Sequence, residues 1–495
     1  MTAVDVAAGA GGNIPAAAHA SEASGGMWIM LSKIVSQASQ LFIFVLAAST
    51  LTPEQFGHFA VGAAVALFFV ILAEAGWAEI IMKNGDDEQT LSEVSAFAVA
   101  SGGILFAVSL AGIGIFSRLG GDSGLVVLLL LFATWTPLAA LTTIYDGHLV
   151  YRRRFRLQSF IRIASELTGL AGAVAGLVAG WGVYALVLSR AGTLLIYLVL
   201  CASCAGIRPR LRLQLGHAPE MTRFSIHILQ GRMITFFRSY AATLSIGAFL
   251  GAAEAGLFRL AERIVAASAE LLGEPARMIG WGIFRRARHD AEHESEPGAR
   301  LSDAGASYIP LVLAISLPVY LGIPLVADNF FALTFGEAWQ PAALITAILA
   351  IKQLALVPAY VSEPLLSIAG NIRRLPPVSL FNAVVAVAAV AVTAPFGYVA
   401  VAWGQVGAAV VALGTTLLLQ SRYGHQDWLR IARLSAPIGL ATLICLMAAA
   451  LAGHLPLQAP LAVLTLQIGC GALAYGGALW LLHPNALRDI WRLSR

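Results

Sequence analysis

Apolar stretches follow one another along this chain with little between them. Fourteen reach the roughly 18–25 residues that a helix needs to cross the ~30 Å hydrocarbon core of a bilayer. They fall near 27–49, 58–81, 94–116, 125–149, 158–180, 182–205, 223–249, 255–281, 304–327, 340–361, 377–395, 398–420, 435–453 and 461–482. The eighth differs from the rest. On a helical wheel, Arg259, Glu262, Arg263, Glu270, Glu274 and Arg277 fall inside an arc of about 120°. Leu257, Phe258, Leu260, Ile264, Val265, Leu271, Leu272, Met278 and Ile279 occupy the other side. One charge at the bilayer centre costs about 2.5–3.5 kcal/mol on insertion scales, so this face must turn to protein or to enclosed water. The pattern makes the helix one wall of an internal polar path.

Composition agrees. Hydrophobic residues make up 58% of the chain and charged residues 12%, against about 25% charged in soluble domains. The 48 glycines suit helices that approach closely in lipid. Basic residues are distributed by side. Lys83, the run Arg152 to Arg154 with Arg156, Arg208, Arg210, Arg212, Arg285, Arg286, Arg288, Arg373, Arg374, Arg430 and Arg433 all fall in one set of connections. The alternate set holds only Arg118. The positive-inside rule then predicts that both termini are cytoplasmic. The net charge of +4 follows this topology and does not indicate a nucleic-acid partner. The stretch before Ser24 lacks both a basic n-region and an apolar h-region, so it reads as a disordered cytoplasmic tail over 1–25 and not as a signal peptide.

An internal repeat is visible. Leu51-Thr-Pro-Glu-Gln-Phe-Gly57-His-Phe59 matches Leu250-Gly-Ala-Ala-Glu-Ala-Gly256-Leu-Phe258 at an offset of 199, and Lys33, Ser36 and Gln40 meet Arg232, Thr235 and Ser239. Gly182-Val-Tyr-Ala-Leu186 echoes Gly397-Tyr-Val-Ala-Val401, and the basic loop at Arg153 echoes Arg373. Six spans separate the copies, an even number, so the copies run parallel. The expected architecture is all-α: a six-helix lobe over 26–206, a basic cytoplasmic linker over 207–222, a second six-helix lobe over 223–421, and two extra helices with a cytoplasmic tail over 422–495.

Several chemistries are absent. No glycine-rich GxxxxGK[ST] loop, HExxH, GxSxG or Asp-x-Asp pair occurs, and no cofactor or metal is expected. His289 and His293, beside Asp290 and Glu294, have metal-like spacing but sit in a polar loop, where a solvated charge run is the plain reading. Cys201 and Cys204 form a CxxC inside an apolar helix, where packing is the default over metal or redox use. What remains is the set of ionisable groups inside spans. Lys33, Arg190, Arg232, Arg238, Arg259, Arg263 and Lys352 are candidate anion-binding residues, since guanidinium forks match phosphate oxygens. Glu74, Glu262 and Glu270 are candidates for ion coupling. For each, the alternative is a helix-to-helix ion pair, such as Arg263 with Glu270 or Glu166 with a neighbouring Arg. Glu274, Arg277 and Glu363 lie toward the cytoplasmic face, where they can reach water.

The residues also carry a family resemblance. The Leu51 to Phe59 link, Glu74-Ala-Gly76-Trp77, the run Arg152 to Phe160 followed by Gly182 to Leu186, and the Leu250 to Ala261 link occur in order. Together they resemble the polysaccharide flippases of the multidrug/oligosaccharidyl-lipid/polysaccharide exporter superfamily. The resemblance covers most of residues 27–420. It implies a V-shaped, two-lobed, ion-gradient-driven transporter of the bacterial inner membrane. A central cationic cavity would accept a polyprenyl-pyrophosphate-linked oligosaccharide and move its headgroup to the periplasmic leaflet. Polysaccharide polymerase and chain-length proteins are the implied partners beside the lipid bilayer. The competing expectations are an ion-coupled drug or metabolite antiporter of the same superfamily, a membrane glycosyl polymerase or ligase, and a non-transporting scaffold for envelope assembly.

Overall fold

A computed structural model describes residues 16–120, 123–207, 211, 218–290, 297–455 and 459–482, with side chains from residue 27 onward. Every element among them is helical: α1 (Ala16–Thr50), α2 (Pro53–Glu74), α3 (Trp77–Asn84), α4 (Glu88–Arg118), α5 (Ser123–Ala133), α6 (Trp135–Tyr151), α7 (Phe155–Val178), α8 (Val183–Ala205), α9 (Ala218–Phe249), α10 (Ala252–Asp290), α11 (Pro297–Thr334), α12 (Pro341–Leu356), α13 (Ser362–Ile368), α14 (Leu375–Thr393), α15 (Tyr398–Gly424), α16 (Trp428–Gly453) and α17 (Pro460–Leu482). Twelve helical segments are long and apolar enough to cross a membrane, some joining two elements, such as Pro53–Asn84 and Gly124–Tyr151. Helices α9 and α10, of 32 and 39 residues, are also long enough but are less apolar than the twelve. With them, the helical segments of spanning length among the described residues number fourteen, as expected from the sequence.

The chain forms two compact units, one of residues 1–47 with 65–232, the other of 48–64 with 233–495. The core of the first is built on Trp77, Ile80, Ile81, Val94, Ala98 and Ile144, joined by Met221 from the start of α9. The second is centred on Phe284, Tyr308, Tyr320, Val357, Val361 and Leu365. Helices α16 and α17 pack onto α11 through Ile438, Ala441, Ala478 and Leu479 against Ala314. Gln467 on α17 adds hydrogen bonds to Asn329 and to the Leu325 carbonyl.

The units depart from the boundaries expected from the sequence in two places. Residues 48–64 pack with the second unit, because Phe56 is fully buried edge-on against Trp339 at 5.4 Å between ring centroids. Residues 218–232 pack with the first, through Met221 and Phe224. The expected tail over 1–25 also changes. Helix α1 already runs from Ala16, while residues 1–15 lie outside the described residues. Much of the 207–222 linker and the terminal segment 483–495 lie outside them too.

The two repeat copies meet inside the second unit. A Cβ on Gly57 would stand 1.6 Å from the Ala252 carbonyl oxygen, and one on Gly256 2.1 Å from the Pro53 carbonyl oxygen. Pro53 and Ala252 are themselves related by the offset of 199. The first turns of α2 and α10 therefore cross backbone to backbone in a reciprocal contact.

Candidate functional site

The first unit gathers its charges through a broken helix. Ala75 and Gly76 both have positive φ, 44° and 83°, and this turn separates α2 from α3 inside one apolar segment. Positive φ is unstrained for glycine, and the bare Gly76 Cα lets Ile228 of α9 approach, since a Cβ there would lie 3.1 Å from that side chain. The break sets Glu74 and Glu79 on either side of Arg232, whose guanidinium donates to them at 2.9 and 2.7 Å. A second cluster joins α6, α7 and α8. The Asp146 carboxylate accepts from Gln158 at 2.6 Å and from the Tyr197 hydroxyl, and Arg162 approaches it at 3.7 Å while lying over the Tyr197 ring. Arg190 pairs with Glu166 at 3.2 Å. Lys33 is exposed on α1.

In the second unit, α10 presents its charges as the wheel indicates, but much of that charge is spent locally. Arg259 donates to Glu262 at 2.9 Å and to the Ser239 carbonyl at 3.2 Å, and lies over the Tyr240 ring at 4.4 Å. Its side chain is 16% exposed, so Arg259 fastens α10 to α9. Arg263 meets Glu270 at 3.4 Å, and Arg277 holds Glu274 at 2.5 Å and Glu363 at 3.3 Å. For Arg190, Arg232, Arg259 and Arg263 the ion pairing left open by the sequence is formed, between helices for Arg190 and Arg232 and within α10 for Arg259 and Arg263. Two of these pairs, Arg263 with Glu270 and Glu166 with an Arg, are the ones named from the sequence.

A cavity of about 520 Å³ lies within this unit among α9, α10, α12, α13, α14 and α15. Its charged lining is Arg238, Arg277 and Lys352 against Glu270, Glu274 and Glu363, with Tyr360, Asn382 and Gln405 among the polar groups. A cavity of net positive charge was expected; here cation and carboxylate balance in number. The distribution is uneven, because each carboxylate has a guanidinium partner, whereas Lys352 hydrogen-bonds the neutral Gln405 amide oxygen. Largely apolar side chains, many of them alanine and valine of α14 and alanine of α15, line most of the remainder.

Asp146, Arg162, Tyr197, Asn382 and Gln405 were not singled out in the sequence. The first two carried a usable signal, a charge inside an apolar run. The amides carried none, since polar uncharged residues in membrane helices are common. His289 and Asp290 stand 3.9 Å apart and well exposed, while His293 and Glu294 lie outside the described residues. Cys201 is packed beside Leu149, Ile161 and Tyr197, and Cys204 is exposed; neither is in a disulfide. No metal-type cluster of three His, Cys, Asp or Glu occurs among the described residues.

Residues 46–344 match the family model described as polysaccharide biosynthesis protein. The chain belongs to that family. This polysaccharide biosynthesis protein is 24% identical over 480 residues to the succinoglycan biosynthesis transport protein ExoT of Rhizobium meliloti (strain 1021), covering 94% of each chain. It is 22% identical over 342 residues to the teichuronic acid biosynthesis protein TuaB of Bacillus subtilis (strain 168), covering 66% of this chain and 67% of TuaB. In fold it is similar to the lipid II flippase MurJ in an inward closed conformation. The TM-score is 0.70 at 13% identity, over 93% of this chain and all of that one. A multidrug resistance transporter of the MATE family in an inward-facing conformation scores 0.56 at 15% identity, over 82% of this chain and 98% of that one. The fold is that of the superfamily named from the sequence motifs.

Proposed function

We propose that this protein is a flippase of the bacterial inner membrane, with both termini cytoplasmic. It moves polyprenyl-pyrophosphate-linked oligosaccharide repeat units from the cytoplasmic to the periplasmic leaflet for surface polysaccharide synthesis, and is not an enzyme. The product would pass to a polysaccharide polymerase and chain-length proteins. The observation that carries the reading is the end-to-end likeness to a succinoglycan biosynthesis transport protein, over 94% of both chains. The chemistry is compatible: helices α9 and α10 bring charge into a membrane-spanning fold, and they border a cavity with charged groups in its lining, large enough for a ligand. Alternating access needs groups that contact substrate differently in its two states. Arg238 and Lys352 line the cavity and are placed for that, and Lys33 is exposed on α1. Arg190, Arg232, Arg259 and Arg263 are available only if their carboxylates are exchanged for substrate.

A cation antiporter is the rival within the superfamily. It needs a carboxylate free to take the cation, and Glu270, Glu274 and Glu363 are each engaged by arginine. The deciding experiment measures surface polysaccharide and the leaflet of the lipid-linked repeat in a strain lacking the protein. The expected result is accumulation of the repeat on the cytoplasmic side and restoration on complementation. Undiminished surface polysaccharide in that strain would refute the reading.

A further inference from the structure

We infer that the stretch Val357–Val361 is a two-state joint in the second unit, latched in its present form by the positioning residue Gln420 of α15. The inference rests on the flippase reading for what the joint serves; the latch itself stands on hydrogen bonds of backbone and side chain.

One apolar segment, Pro341–Ile368, carries α12, a 3-10 stretch over Val357–Val361, and α13. Proline causes the break. Pro358 has no N–H, so the Leu354 carbonyl loses the donor four residues on and takes the Val357 N–H instead. At the far end the Ser362 N–H reaches back three residues, to the Ala359 carbonyl. A continuous α-helix would send it to Pro358. The Pro358 carbonyl is therefore left over, in a span where lipid has no donor to offer it.

Gln420 supplies the missing donor. Its NH2 gives one N–H to the Pro358 carbonyl at 2.8 Å and the other to Ser362 Oγ at 2.7 Å. The amide cannot be reversed, because a carbonyl only accepts. Its own oxygen, in a residue that is 0% exposed, is then left buried with no partner among the described residues. An unpaired buried amide oxygen is unfavourable, and a second form relieves it. When the Ser362 N–H moves from Ala359 to Pro358, the helix continues, and Gln420 is free to turn its oxygen toward the Ser362 hydroxyl.

The exchange moves more than one bond. Each residue that converts from 3-10 to α turns α13 by about 20° on its axis and draws it in by about 0.5 Å. Tyr360 and Glu363 ride on this backbone, and both line the cavity. At present the Tyr360 hydroxyl meets the Tyr320 hydroxyl at 3.0 Å and accepts from Gln353 at 2.9 Å, while Glu363 meets Arg277 at 3.3 Å. Beyond α13, Asn371 donates to the Tyr423 carbonyl at 2.9 Å, so α15 anchors the segment at both ends. The joint and part of the cavity wall are thus one run of chain. A cargo that touches Tyr360 or Glu363 differently in the two forms biases the joint.

The test uses the full-length protein in nanodiscs, its four native cysteines replaced by serine and a trifluoromethyl tag on Ile372→Cys, just past α13 and 37% exposed. Fluorine NMR is expected to show one major and one minor resonance. Gln420→Leu removes the latch, and Pro358→Ala restores the N–H that the Leu354 carbonyl lacks. Both should move population to the same minor resonance, raising it roughly five-fold or more against the major one, the scale of one hydrogen bond. Pro358→Ala, which removes no donor, carries the test alone where Gln420→Leu does not fold. Convergence of two differently made variants on one resonance, with cooperative melting kept, is the signature of the joint. A single unshifted resonance in every chain would make Gln420 a static brace and overturn the joint. A separate new resonance for each variant would mean local unfolding and overturn it equally. Export of the lipid-linked repeat in cells is scored separately. Shifted populations with undiminished export would take the joint out of the transport cycle and overturn the inference. A wild-type protein that shows both resonances but exports nothing leaves the joint standing and removes the flippase reading.

Discussion

Arg232 holds two carboxylates with one guanidinium, and that stoichiometry makes the site sensitive to loss of the cation. Glu74 and Glu79 reach it from opposite sides of the Ala75–Gly76 break, all three about 29% exposed in their side chains. Arg232→Met leaves two like charges facing each other in a largely apolar unit. The expected cost is roughly 1–3 kcal/mol, read as a lower melting temperature of the purified protein. Glu74→Gln with Glu79→Gln in the same chain should recover most of it, since neutral amides need no counter-charge. A single Arg232→Met variant that melts with wild type would show that the pairing contributes nothing. At this scale the sequence discloses which residues are charged inside spans but not their partners. Pairing depends on which helices adjoin, and a guanidinium on α9 finds carboxylates on α2 and α3 only after the chain has folded. Arg263 with Glu270 was legible because both lie seven residues apart on one helix.

Among elements, the crossing of α2 and α10 is the one most exactly set by glycine. The sequence repeat at offset 199 aligns Gly57 with Gly256, and the structure brings those two positions to each other's helix. Alignment was readable; contact was not, because a repeat gives equivalence and says nothing of proximity. Gly57→Ala and Gly256→Ala would each drive a methyl into a carbonyl oxygen, with an expected cost of at least about 1–3 kcal/mol. The double variant should cost less than the sum, because the first substitution already parts the helices that the second would clash. Gly103→Ala on α4 is the control. No heavy atom lies within 4 Å of its added Cβ, so the change should be neutral or stabilising by up to about 1 kcal/mol. Thermal melting of the purified variants reads all four. Full additivity would mean that the glycines act at independent sites.

For the whole molecule, the arrangement of spans follows from two sequence signals of unequal strength. Of the fourteen stretches read from the sequence, twelve are strongly apolar, and α9 and α10 are the two whose charges lower their apolarity. The asymmetry of basic residues cannot recover them, because removing two consecutive crossings leaves the orientation of every later loop unchanged. Arg373 and Arg374 would be cytoplasmic in either arrangement. Only the turn between α9 and α10 distinguishes the two, and it decides whether the cavity these helices border lies at membrane depth at all. Three single cysteines in a chain with its four native cysteines replaced by serine read the difference. Leu119→Cys, beside Arg118, should react with an impermeant maleimide added outside intact cells, and Ile372→Cys, beside Arg373, should react only after permeabilisation. Phe249→Cys, 62% exposed at the end of α9, should react from outside like Leu119→Cys. A Phe249→Cys chain labelled only after permeabilisation would place the α9–α10 turn on the cytoplasmic side. The span count would then fall to twelve, and the charges of α10 would carry no argument about transport, since they would never have left water.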